Sequence, residues 1–130
     1  MSQFGVQLHA RSKTKVIGNG KRKIKARGKR RREVGGYFSA TKLTEKSMVA
    51  SVRRRGGNVD VKLKRAAVAN VLTKTGYKNA KITGIVESKD NRNFARQNII
   101  TKGSVIATEL GNAVVLNRPG REGTINARLV

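Results

Sequence analysis

The sequence contains no cysteine and no tryptophan, one proline, one histidine and only seven acidic residues. Without cysteine there is no disulfide framework, no thiolate metal site and no thiol nucleophile. With His9 as the single histidine, a Ser-His-Asp site or a multi-histidine metal site is nearly ruled out as well. The six acids beyond Glu33, namely Glu45, Asp60, Glu87, Asp90, Glu109 and Glu122, are scattered and form no carboxylate pair at a catalytic spacing. Each reads as a partner for a nearby cation. No stretch approaches the roughly 18 consecutive apolar residues of a membrane span, and MSQFGVQLHA lacks the apolar run of a secretory signal. These absences point away from an enzyme and predict no cofactor, no metal, no small-molecule substrate and no membrane contact.

Positive charge is abundant. Lys and Arg number 30 in 130 residues, for a formal net charge of +23. Self-repulsion on that scale destabilises any compact state and calls for a polyanionic partner. The charge is uneven. Residues 1–34 hold 12 cations and one acid, whereas residues 67–130 hold 10 cations and four acids. The chain therefore divides into a basic N-terminal extension, residues 1–46, and a folded body, residues 47–130. The extension is expected to be ordered mainly against that partner.

Within the extension, nine of the twelve residues of KRKIKARGKRRR (21–32) are cationic, and Ile24 and Ala26 are its only apolar side chains. Such a run cannot offset its folding entropy by burial. A flexible row of cations matches the phosphate lattice of a nucleic acid and gains from counterion release. Solvated faces, by contrast, normally mix both signs. The candidate phosphate contacts are Arg11, Lys13, Lys15, Lys21, Arg22, Lys23, Lys25, Arg27, Lys29, Arg30, Arg31 and Arg32. Gly18-Asn19-Gly20-Lys21 lacks the spacing of a nucleotide-binding phosphate loop and is not read as one.

The body reads as strands. SMVASVR is β-rich and ends in Arg53-Arg54-Arg55-Gly56-Gly57-Asn58, a turn. Val59, Val61 and Leu63 alternate with Asp60, Lys62 and Lys64, the pattern of a half-buried strand. The apolar parity shifts at Ala66 and Val68, which predicts a bend; a short helix over Arg65–Leu72 is a second reading. Further strands are expected over Ala80–Glu87, Asn98–Thr101, Ser104–Leu110, Ala113–Asn117 and Thr124–Leu129, with hairpin chemistry at Gly111-Asn112 and a type II turn at Pro119-Gly120. The fold class is all-β, a small antiparallel barrel of about six short strands.

Two segments of the body carry candidate nucleic-acid chemistry. In Arg53–Asn58 the glycines let backbone amides approach a phosphate, and Arg grips phosphate bidentately. Successive Arg at a strand end alternate faces, so at most two of the three share a side. In Asn91–Asn98 the candidates are Asn91, Arg92, Asn93, Arg96 and Asn98, with Lys102 just beyond. Asn reads base edges and Phe94 either stacks on an unpaired base or anchors the loop in the core.

The same residues carry a resemblance. VRRRGGN at 52–58, RGKRRREVGG at 27–36 and the whole block NRNFARQNIITKGSVIATELGNAVVLNRPGREGTINARLV at 91–130 are similar to the archaeal form of the S8e family of small-subunit ribosomal proteins. Gly18-Asn19-Gly20 stands where members often have Thr-Gly-Gly, and Arg32 where an aromatic is expected. The resemblance implies a small β-barrel with a long basic extension. It also implies a structural, non-enzymatic role on small-subunit ribosomal RNA in the cytoplasm, among neighbouring ribosomal proteins. The residues alone leave a second class open: a non-ribosomal nucleic-acid-binding protein of architectural or RNA-chaperone type.

Overall fold

The computed structural model describes residues 36–130. A compact unit runs from Ser39 to Val130. Its strands are β1 (Thr41–Leu43), β2 (Met48–Arg53), β3 (Val59–Ala66), β4 (Val68–Thr73), β5 (Gly76–Glu87), β6 (Ile99–Ile100), β7 (Val105–Thr108), β8 (Gly111–Val115) and β9 (Asn126–Leu129). Two one-turn helices interrupt them, α1 (Arg92–Arg96) and α2 (Pro119–Glu122), and a 3-10 turn covers Arg55–Gly57. Strands β4-β5-β7-β8-β9 close into a barrel, and β2-β3-β1-β6 form a separate four-stranded sheet. Among the described residues no helix is long and apolar enough to cross a membrane.

The all-β barrel expected from the pattern is present; it closes with five strands where about six were expected, and the other four described strands form the second sheet. Four of its seams are antiparallel and the fifth, β4 with β9, is parallel. An odd number of strands requires this: directions cannot alternate all the way round a ring of five. The helix considered over Arg65–Leu72 does not form. That segment is the end of β3 and most of β4, with Ala69 and Val71 buried inside the barrel while Val68, Asn70 and Leu72 face out. Apolar residues on both faces hid the two-residue period. The predicted bend is the passage through Ala67 from one sheet to the other; Leu63 and Ala66 are both buried on the near side of it. Thr41–Leu43 belongs to the compact unit, pairing with β3 and β6.

Two turns differ from the sequence reading. The β7–β8 hairpin turns at Glu109-Leu110, because Thr108 and Gly111 are its last pair. The β4–β5 hairpin is built the same way around Thr73 and Gly76. In both, the Thr Oγ1 donates to the Gly carbonyl: Thr73 to Gly76 at 2.6 Å, with Gly76 at φ +128°, and Thr108 to Gly111 at 2.7 Å, with Gly111 at φ +120°. Thr-x-x-Gly is therefore a turn signature that the chain uses twice. At Pro119-Gly120 the expected type II turn is instead the first turn of α2, with Pro119 at the position where its missing N–H costs nothing.

The barrel interior holds Ala69, Val71, Ala80, Ile82, Ile106, Ala113, Val115, Ile125 and Ala127. A five-stranded barrel is narrow, and the four alanines fit that bore. Leu63, Ala66 and Ile100 continue the core into the four-stranded sheet. Buried hydroxyls join the pieces. Ser104, fully buried, donates to the Thr101 carbonyl (2.7 Å) and accepts from the Thr101 N–H (2.9 Å), with Ser88 against Thr101 at 3.4 Å. Thr41 Oγ1 donates to the Leu63 carbonyl at 2.7 Å and fixes β1 on β3.

Candidate nucleic-acid interface

The β2–β3 hairpin carries Arg53–Asn58 at its tip. Arg53 lies opposite Val59, on the face of Ser51 and Val61, whereas Val52 lies opposite Asp60 on the other face. Arg54 Nε donates to Asp60 Oδ2 in an ion pair between half-exposed side chains. In that setting the pair adds little to stability, but it fixes one edge of the guanidinium and leaves the terminal nitrogens for a phosphate. The turn is closed by Arg54 N–H donating to the Asn58 carbonyl at 2.7 Å. Gly56 and Gly57 take φ of +82° and +83°, and nothing lies within 4 Å of where a Cβ would stand on either. The tip backbone is thus bare on its outer side, as a phosphate contact through amides requires. Lys62, half-buried, and Lys64, exposed, lie on the Asp60 face of β3 and extend the basic tip down the strand. Their alternation with Val61 and Leu63 was visible in the sequence; their place on the same face as the Arg54 pair was not.

The segment Asn91–Asn98 is helical, not an open loop. Asn91 Oδ1 accepts from Asn93 N–H at 2.9 Å and caps α1. Asn98, at φ +54°, ends it in the left-handed conformation that Asn tolerates, and its carbonyl accepts from Leu43 N–H at 2.9 Å. Both asparagines therefore have local structural work. Arg92 and Arg96, four residues apart, share one exposed side of α1 with Asn93 nearby. Phe94 is half-buried.

Register places the two segments at opposite ends of the four-stranded sheet. The tip precedes Val59, at the start of β3, whereas Asn98 bonds to Leu43, which lies beside Ala66 at its other end. The rise of β3 separates them by about 20 Å. Among the described residues these two segments do not converge; they stand apart along one compact unit. Lys102 lies close enough to Glu122 at the end of α2 to act on its ionisation. There the Asn117 side-chain amide and the Arg118 N–H donate to the Glu122 carboxylate, and these bonds, with the charges of Lys102 and Arg118, hold its pKa below the ordinary carboxylate value. The N-terminal candidates, Arg11, Lys13, Lys15, Lys21, Arg22, Lys23, Lys25, Arg27, Lys29, Arg30, Arg31 and Arg32, lie outside the described residues. Among the described residues no three His, Cys, Asp or Glu side chains group to hold a metal ion.

A sequence model of the ribosomal protein S8e family matches residues 9–130, nearly the whole chain and all of the barrel. The chain belongs to the ribosomal protein S8e family. Its relatives named small ribosomal subunit protein eS8 include one from Hyperthermus butylicus, 45% identical over 114 residues and covering 85% of this chain and 83% of the relative. Others come from Sulfurisphaera tokodaii, 42% identical with 85% and 88% covered, and Sulfolobus acidocaldarius, 43% identical with 87% and 94% covered. Membership makes this S8e chain a structural component of the cytoplasmic ribosome and not an enzyme.

Proposed function

We propose that this S8e chain is a structural constituent of the small ribosomal subunit that binds and stabilises ribosomal RNA. The basic extension, Arg11 to Arg32, neutralises crowded phosphates. The tip Arg53–Asn58 grips a second backbone segment, and Arg92, Asn93 and Arg96 on α1, with Lys102, meet further phosphates. The observation that carries this reading is the tip: Arg53 and Arg54 lead into two positive-φ glycines whose outer side is open. The naming of relatives as small-subunit proteins supports the choice of partner. The barrel's part is to hold the sites at fixed spacing, so that less entropy is lost on binding. Neighbouring ribosomal proteins cover what RNA does not.

The test is binding of small-subunit ribosomal RNA by the full chain across a salt series, with Arg54 and Arg55 both changed to Glu. The double variant should bind more weakly, and its log–log salt dependence should flatten by roughly one to two units of slope. Unchanged affinity overturns the reading. Tighter binding to duplex DNA than to structured RNA at the same salt would transfer the protein to the architectural class.

A further inference from the structure

The outer face of the barrel over β5, β4 and β9 carries a lattice that the interface above leaves unused. Cross-strand register sets it out in three rows. Lys81 stands opposite Val68; Asn79 opposite Asn70, which is level with Asn126; and Tyr77 opposite Leu72, which is level with Arg128. Their inward-facing neighbours Ala69, Val71, Ala80 and Ala127 are buried, so these rows point to solvent. No acidic side chain occurs in them.

Two features set this face apart from ordinary solvated sheet. Tyr77 is 67% exposed in a chain with only two tyrosines and no tryptophan. Asparagine is depleted in strands because it packs poorly on a pleated surface, yet three occur side by side in one row across three strands. Only one link within the row uses them: Asn70 Nδ2 donates to Asn126 Oδ1 at 3.1 Å. Asn70 Oδ1, Asn126 Nδ2 and both amide atoms of Asn79 remain for another molecule, and they offer donors and acceptors together. Among the described residues neither Lys81 nor Arg128 forms an ion pair.

We propose that this face is a nucleobase platform for an unpaired segment of RNA. The claim rests on the RNA-binding reading above and adds a site of different chemistry. A base stacks on the exposed ring of Tyr77. Adjacent rows on one face lie about 6.6 Å apart and adjacent strands about 4.8 Å, so the amides of the Asn79–Asn70–Asn126 row lie within reach of its edge. Lys81 and Arg128, at two corners, neutralise the flanking phosphates. Stacking, amide readout and peripheral cations are what single-stranded RNA recognition requires, and a duplex, with its bases enclosed, engages none but the last.

The absence of tryptophan supplies the assay. In a Tyr37→Phe background Tyr77 is the only tyrosine, and its fluorescence reports on the platform alone. Titration with a 12-nucleotide oligo(A) should quench it, and a 12-base-pair RNA duplex should not. Tyr77→Ala should lower oligo(A) affinity about 5- to 150-fold, the equivalent of about 1–3 kcal/mol per stacked base, with the salt slope unchanged because no charge is lost. Tyr77→Phe should bind within about twofold of the parent, since the ring remains. An unquenched Tyr77 at saturating oligo(A), or an equal loss of affinity for single strand and duplex in Tyr77→Ala, overturns the platform and leaves this face for a protein neighbour. The two readings fail separately: if only the platform is wrong, the Arg54→Glu, Arg55→Glu variant still loses affinity while Tyr77→Ala does not.

Discussion

Gly123 brings the end of α2 against the middle of β3, and Gly123→Ala is the substitution that tests the packing of the body. Gly123 ends α2 with φ +73°, so any L-residue there meets the left-handed penalty of about 1–2 kcal/mol. A Cβ would also stand 2.5 Å from Val61 Cγ1 and 3.5 Å from Val61 Cβ, in the middle of β3. Val61 is 39% exposed and has room to turn away, so relieving the contact costs an off-rotamer side chain, about 0.5–1.5 kcal/mol, and not a broken core. Together the two effects predict a loss of about 2–3 kcal/mol. For a domain of this size that is a fall in Tm of about 10–20 °C. Thermal unfolding of the full chain followed by circular dichroism measures it, and two further variants separate the causes. Gly123→Asn keeps the contact with Val61 but tolerates the backbone angle, so it should recover the larger share. Val61→Ala placed on Gly123→Ala removes the offending methyl and should recover only the smaller one. A Tm for Gly123→Ala within about 2 °C of wild type refutes the reasoning outright. Equal recovery by the two companion variants, or recovery by neither, refutes the division. Because α2 braces the strand that carries Arg53–Asn58, RNA affinity should fall in step with stability.

Ser104→Ala leaves the buried Thr101 N–H without its acceptor, and should cost about 1–3 kcal/mol, read as a lower urea midpoint at unchanged slope. Glu122, held below the ordinary carboxylate value chiefly by the Asn117 amide and then by the Arg118 N–H, binds fewer protons folded than unfolded in the acidic range. Its contribution is therefore complete above the ordinary value and is lost as pH falls through the lowered one. The Tm of wild type and of Glu122→Gln should accordingly differ near neutrality and converge on acidification; a gap that is constant with pH would contradict the assignment.

How much of this was legible in the sequence depended on whether one face of each element was unambiguous. β5 and β7 to β9 alternate around buried Ile82, Ile106, Val115 and Ala127, and their strands were readable as such. β4 was not, because Val68 and Leu72 are apolar on its outer face, so Val-Ala-Asn-Val-Leu offers a helix as readily as a strand. β1 is three residues long and is held by pairing on both sides and by the Thr41 hydroxyl, neither of which has a local signal. The alternation of Val59, Val61 and Leu63 identified β3, but it overstated burial: Leu63 is enclosed, while Val61 is only partly covered and Val59 stands clear. The hairpin runs past the core to carry its arginines outward, and periodicity does not report where a strand leaves the core.

The candidate site divides along the same line. Charge is a property of composition, so the tip and α1 cations were found without coordinates. What cross-strand register adds is adjacency. Asn70, Asn79 and Asn126 are scattered along the chain and meet only because β4 pairs antiparallel with β5 and parallel with β9. The same parallel seam that an odd-stranded barrel cannot avoid brings Arg128 level with Leu72 and Tyr77. A strand order that closed the ring elsewhere would have left Tyr77 a lone surface aromatic, which by itself calls for no explanation. The topology, more than any single residue, brings three dispersed amides and an exposed tyrosine onto one surface.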